Sequence, residues 1–260
     1  MKLRNLRIAV VTLALTAAAA ALHAQEITVA AAADLQFAFQ DVAARFEKQT
    51  GGHVKLVFGS SGNFFAQIEN GAPFDVFCSA DISYPQRLES AGLTEPGSLY
   101  RYATGRIVLW VPKASPLDLG RGMGVLLDPA VHKIAIANPE HAPYGRAAVA
   151  ALRQEKIYEQ VANKLVLGEN ISQAASFVVS GSADAGIIAL SLALAPAMKE
   201  KGRYAEIPGD DYPAIEQAAV LVKSQAQRSR AQQELARRFL SFLNDPTIVE
   251  LMHSYGFSKP

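Results

Sequence analysis

The sequence predicts an α/β protein of two lobes, built on mostly parallel sheets, with a ligand cleft between the lobes. Three observations predict it. Short apolar runs alternate with segments of helical periodicity. The alternation stops near residue 104 and restarts. A late apolar strand and two amphipathic helices then return the chain to the first unit. At 260 residues, half of them apolar, the chain can bury one large core or two smaller ones.

The first 24 residues stand apart from this fold. Lys2, Arg4 and Arg7 precede an apolar stretch, Ile8 to Leu22, and Leu22-His23-Ala24 ends in the small residue that cleavage requires. This is the pattern of a secretory signal peptide cut before Gln25, and the stretch is short for a membrane span. The whole chain has 25 Lys and Arg against 24 Asp and Glu; without Lys2, Arg4 and Arg7 the balance is 22 to 24, a net charge of −2. Such a chain lacks the basic stripe that nucleic acid demands. Its one cysteine, Cys78, has no partner for an internal disulfide and sits in the apolar run "FDVFCSA", as a buried thiol would.

In the first unit, Ile27–Ala33 reads as a strand. Leu35, Ala38, Phe39, Val42 and Phe46 then recur at helical spacing, and Gly51-Gly52 ends that helix. "HVKLVFG" (53–59) is a second strand, "NFFAQIENG" (63–71) a short helix, "FDVFCSA" (74–80) a third strand, and a helix follows around 84–91. In the second unit, "RIVLWVP" (106–112), "KIAIANP" (133–139) and "AGIIALS" (185–191) are strands, with helices at 145–155 and 171–180. A Pro/Gly/Asp turn leads into the strand "AAVLV" (218–222), and helices follow at 228–243 and 246–254. The expected division is residues 25–104 with 214–260 as the first lobe and 105–213 as the second, with chain crossings near 103–106 and 211–216.

Four places share one pattern: a strand ends in small or polar residues and a helix begins. They are "AAADL" (31–35), "FGSSGNFF" (58–65), "ANPEHAPYGRAA" (137–148) and "LGENISQAA" (167–175). A helix start leaves N–H groups without intrahelical partners and carries partial positive charge. Several such starts meeting at one point make an anion site from neutral amides. Each also has a plain structural reading, with Ser60 or Ser61 and Asn170 as ordinary N-caps.

Catalytic patterns are missing. "GSSG" lacks the Lys-Ser/Thr ending of a phosphate-binding loop, and no glycine fingerprint follows the first strand. His53, His132, His141 and His253 stand singly, without a second ligand at metal-binding spacing. No G-x-S-x-G turn marks a nucleophilic serine. An enzyme stays open at this point, but nothing in the chain asks for catalytic residues, a bare-metal site or a cofactor.

The blocks "ITVAAAADLQFAFQDVAARFEKQTG", "VFGSSGNFFAQIENGAPFDVFCSAD", "IANPEHAPYGRAA" and "SYGF" together resemble the periplasmic molybdate-binding proteins of ABC transporters, in order and across 26–258. The resemblance implies a type II periplasmic binding fold, closing over a dehydrated tetrahedral oxyanion held by backbone amides, hydroxyls and often one tyrosine. Residue by residue, it implies oxyanion contacts from Ala33, Asp34, Ser61, Tyr144 and Ile171. Ser61 matches the family serine, and Ile171 offers its backbone N–H. In one branch the tyrosine lies on the strand corresponding to 185–189, where this chain has Ala189; in another it precedes a glycine, where "PYG" supplies Tyr144.

Asp34 departs from the family, which usually has serine or asparagine there. An ionised carboxylate cannot donate a hydrogen bond. Three readings stay open: a helix cap whose own amide binds the ligand, an acceptor for a protonated oxyanion such as hydrogen phosphate, or a carboxyl itself protonated beside the anion. Arg146 is a candidate for compensating its charge. The expected function is capture of molybdate, and of tungstate, by a monomeric periplasmic protein that delivers it to a membrane permease. Rival readings are a receptor for phosphate, arsenate or sulfate, a secreted hydrolase using Ser60 or Ser61, and an extracellular interaction module.

Overall fold

The computed structural model describes residues 25–223 and 228–260, so the signal peptide read at 1–24 lies outside the described residues. Among the described residues ten strands form two five-stranded sheets. The first holds β1 (Glu26–Ala32), β2 (His53–Gly59), β3 (Val76–Ser79), β4 (Tyr100–Gly105) and β10 (Ile215–Leu221), in the order β2-β1-β3-β10-β4. The second holds β5 (Ile107–Pro112), β6 (Ile134–Ala137), β7 (Leu165–Gly168), β8 (Ala185–Ala189) and β9 (Gly202–Glu206), in the order β7-β6-β8-β5-β9. The chain passes from the first sheet to the second between β4 and β5, and returns between β9 and β10.

The sheets are mixed rather than mostly parallel. β1 pairs in parallel with β2 and β3, and β6 with β7 and β8, whereas β10 and β5 run antiparallel to all their partners. β5 and β10 are the strands on which the chain enters the other sheet, so neither is reached by the strand-helix-strand crossover that enforces parallel pairing. Two strands, β4 and β9, have no counterpart in the sequence reading, and of β7 that reading gives only the end, at the junction 167–175. All lie at sheet edges. Edge strands bury less of each face, so "GRYAE" of β9 has no apolar run to reveal it.

Helices cover the sheets with the faces that periodicity assigned. Helix Gln36–Thr50 buries Ala38, Phe39, Val42, Ala43 and Phe46 and stops at Gly51, whose φ of 72° is left-handed. Helix Arg230–Phe242 opens with a capping box from Ser229 and Gln232 and buries Leu235, Ala236, Phe239 and Leu240. Phe239 meets Phe46 edge-on at 5.3 Å and Phe39 at 6.2 Å, which locks the returning segment onto the first sheet's layer.

Phe239 has no solvent exposure. Replacing it by alanine should therefore lower unfolding free energy by about 3–5 kcal/mol in urea titration. A loss below about 1 kcal/mol would mean that the final helices are not part of the first core.

Candidate functional site

The parallel pairs bring the four junctions together. In the first sheet Ala32 of β1 lies beside Gly59 of β2, and in the second Ala137 of β6 lies beside Gly168 of β7. Their carboxyl ends release the chain side by side into the turn Ala33–Leu35, helix Ser61–Glu69, helix Pro143–Gln154 and helix Ile171–Val179. This is the crevice at strand ends where α/β proteins bind ligands. Ala33, Asp34, Ser60, Ser61, Pro143, Tyr144, Asn170 and Ile171 line one narrow cavity, nearly closed around a free volume of about 10 Å³. All five residues singled out from the sequence, Ala33, Asp34, Ser61, Tyr144 and Ile171, are among them.

Each junction is built for close approach to backbone. Ser60 caps its helix by accepting from Asn63 N–H at 3.4 Å, and Asn170 caps the other by accepting from Gln173 N–H at 3.0 Å. The next residues, Ser61 and Ile171, therefore sit in first turns, where N–H groups lack intrahelical acceptors. Ser61 Oγ accepts from Ala80 N–H at 3.0 Å, which leaves its hydroxyl proton free to donate. A Cβ on Gly62 would stand 2.7 Å from His141 O, the atom that accepts Gly62 N–H at 2.9 Å.

The two lobes are joined across the cavity by hydrogen bonds. Ser172 Oγ donates to Ala33 O at 2.8 Å, and Ser191 Oγ donates to Asp34 O at 2.7 Å. His141 Nδ1 lies 2.9 Å from Ser60 Oγ, and its Nε2 lies 3.8 Å from Glu169. Arg146 is bound to Asp81 and donates to Tyr84 at 3.3 Å; it does not compensate Asp34.

Asp34 is the centre of the junction. It is 1% exposed, and its Oδ2 accepts from Gln217 Nε2 at 2.6 Å and Tyr144 Oη at 3.0 Å. Gln217 Nε2 also lies 3.1 Å from Tyr144 Oη, and Gln217 Oε1 accepts from Tyr102 Oη at 2.8 Å. Gly105 makes room for this cluster, since a Cβ there would fall 2.1 Å from Tyr144 Oη. The reading of Asp34 as a helix cap is corrected: neither the turn Ala33–Leu35 nor helix Gln36–Thr50 has a side-chain cap. A buried carboxylate needs strong donors, and Gln217 and Tyr144 supply them. The Tyr144 hydroxyl is engaged with Asp34, which leaves its backbone N–H, in the first turn of a helix, as its group for the cavity.

Gln217, Tyr102 and Ser191 escaped sequence reasoning. Gln217 had one signal: an amide set in the apolar run "IEQAAVL" must find partners if buried. The uninterrupted apolar run begins only at Ala218, so a strand read from it stops one residue short of Gln217.

A two-lobed α/β molecule whose junction gathers neutral donors is a solute-binding protein by architecture, and residues 27–258 match the bacterial extracellular solute-binding proteins, the family to which the chain belongs. More particular similarities lie within it. The chain is 39% identical over 239 residues to the molybdate-binding protein ModA of Azotobacter vinelandii, covering 92% of each. It is 38% identical over 248 residues to ModA of Rhodobacter capsulatus, covering 95% of this chain and 92% of the other. The structure of an Azotobacter vinelandii periplasmic molybdate-binding protein superposes with a TM-score of 0.83 at 35% identity, over 90% of this chain and 99% of that one.

Burial pushes the Asp34 carboxyl up to about 6, against the lowering effect of donors from Gln217, Tyr144 and its own N–H. A carboxyl raised on folding binds its proton more tightly in the folded state. Its contribution to stability is thus greatest below the unfolded value of 3.8 and declines until pH reaches about 6. The decline amounts to about 3 kcal/mol. Without ligand, Asp34→Asn should match the wild type near pH 4 and exceed it by about 2–3 kcal/mol at pH 7–8 in urea unfolding. A difference that stays constant with pH would show that Asp34 is not the titrating group.

Proposed function

We propose that this protein captures molybdate outside the cytoplasm, and tungstate by the same chemistry, and delivers it to the permease of an ABC transporter. The observation that carries this reading is the convergence of four strand-to-helix junctions, two from each sheet, on one cavity. Their amides and the Ser61 hydroxyl are neutral donors suited to a tetrahedral oxyanion, and hydrogen bonds to a charged acceptor are the strong ones. The similarity to molybdate-binding relatives over nine-tenths of the chain selects molybdate among such anions.

No bond is broken in this function. Donors from both lobes meet the ligand only when the lobes are together, so the ligand favours closure by its differential contacts. The permease would read the closed pair of lobes. Molybdenum enters as the oxyanion; among the described residues no cluster of His, Cys, Asp or Glu is placed to hold a bare cation. Export follows from the signal peptide read in the sequence, and among the described residues no helix is long and apolar enough to cross a membrane. The protein acts as a monomer, with no cofactor in this role.

The hydrolase reading meets one suggestive feature, the row Ser60, His141 and Glu169. Ser60 is occupied as a helix cap, and the Glu169 side chain is 58% exposed and 3.8 Å from the imidazole. That geometry fits a polar clasp between lobes better than a nucleophile and its base.

Thermal unfolding with a panel of oxyanions tests the reading. At ~1,000 times its Kd a bound ligand adds about 4 kcal/mol of stability. Molybdate and tungstate should do so, with sulfate, phosphate and arsenate giving little. A shift from phosphate or arsenate without one from molybdate would reassign the ligand. Ser61→Ala should weaken molybdate by about 10- to 100-fold in calorimetry, as expected for one hydrogen bond to a charged group.

A further inference from the structure

We propose that the site takes up one proton with each oxyanion and carries it on Asp34 Oδ1, which makes this side chain a hydrogen-bond donor to the ligand. The inference rests on the oxyanion reading above and adds a proton to it.

The two carboxyl oxygens of Asp34 have different surroundings. Oδ2 already accepts two hydrogen bonds, from Gln217 at 2.6 Å and from Tyr144 at 3.0 Å. Protonating it would displace one of them. Gln217 is held in its sense by Tyr102, which donates to its Oε1 at 2.8 Å, so Nε2 remains the atom turned to Asp34. Among the described residues Oδ1 is buried and has no hydrogen-bond partner. It belongs to a residue that lines the cavity between the four helix starts. A buried oxygen without a partner is costly, and a proton shared with a ligand oxygen would satisfy it.

Among the described residues nothing beside Asp34 supplies a fixed positive charge. Tyr144 from helix Pro143–Gln154, Tyr102 from β4 and Cys78 from β3 are the ionisable groups around it, and burial holds each of them protonated and neutral. β10 contributes Gln217, and helix Leu190–Leu194 contributes Ser191. Arg146 is taken by Asp81, while His141 stands at Ser60 and Glu169. A dianion placed here would meet an ionised carboxylate without a counter-charge, and like charges favour protonation. Burial already moves this carboxyl in that direction. Once protonated at Oδ1, Asp34 offers the O–H that a serine or the N–H that an asparagine would offer.

Calorimetry of molybdate binding between pH 5 and 9, in pairs of buffers with different ionisation heats, counts the protons. Expected is uptake approaching one proton per ligand at pH 8 and falling away toward pH 5, with affinity dropping about tenfold per pH unit above roughly pH 6. Asp34→Asn should bind without proton uptake, with an affinity that barely changes with pH and exceeds the wild type at pH 8. His141→Gln should retain the uptake. Molybdate binding by the wild type at pH 8 with no proton taken up would overturn the proposal, and this count needs no variant. Uptake combined with lost affinity in a folded Asp34→Asn would also overturn it, because the proton would then ride on the ligand. Absence of molybdate binding at every pH would instead remove the oxyanion reading on which the proposal stands.

Discussion

One buried carboxyl, that of Asp34, is bonded to both lobes. Asp34 leaves the end of β1, accepts from Tyr144 of the opposite lobe, and accepts from Gln217 on β10, the strand by which the chain returns to the first sheet. Removing a carboxylate from water is expensive, and two donors offset part of that cost. Those donors exist only if β10 presents Gln217 toward Asp34 and helix Pro143–Gln154 brings Tyr144 across. The lobe junction is therefore specified by a polar requirement rather than by apolar contact alone. Gly105, at the end of β4, serves the same requirement by leaving room for the Tyr144 hydroxyl.

The rest of the cavity follows from strand pairing. Parallel neighbours end at the same level, and the helices they lead into start at the same level too. β1 beside β2 and β6 beside β7 thus produce two pairs of helix starts, facing each other across the lobes. Small residues at these ends, Ala32, Gly59, Ala137 and Gly168, let backbone rather than side chains form the walls. A site of amides suits an anion that must be released again. It offers many directed hydrogen bonds without a full opposite charge.

Much of this was legible in the residues. The four junctions share a visible composition, and the caps at Ser60 and Asn170 stand where local chemistry puts them. Helical faces such as Ala38, Phe39, Val42 and Phe46 follow directly from spacing. What escaped depends on long-range placement. The edge strands β4 and β9 are only partly buried, so their apolar patterns are weak. The antiparallel sense of β5 and β10 depends on how the chain crosses between sheets, which periodicity does not encode. Asp34 looked like a helix cap because its local sequence permits one; Tyr144 and Gln217, 110 and 183 residues away, decide otherwise. Convergence of the four junctions is likewise a property of the assembled sheets and not of any one segment.

The Asp34 carboxyl is enclosed between the lobes and bonded to both. The most direct measurement is the carboxyl ¹³C chemical shift of Asp34 followed against pH in the ligand-free protein. A midpoint near 6 is expected, with Gln217→Leu moving it higher as the strongest donor is lost. A midpoint at or below the ordinary value of 3.8, unmoved by Gln217→Leu, would contradict the claim.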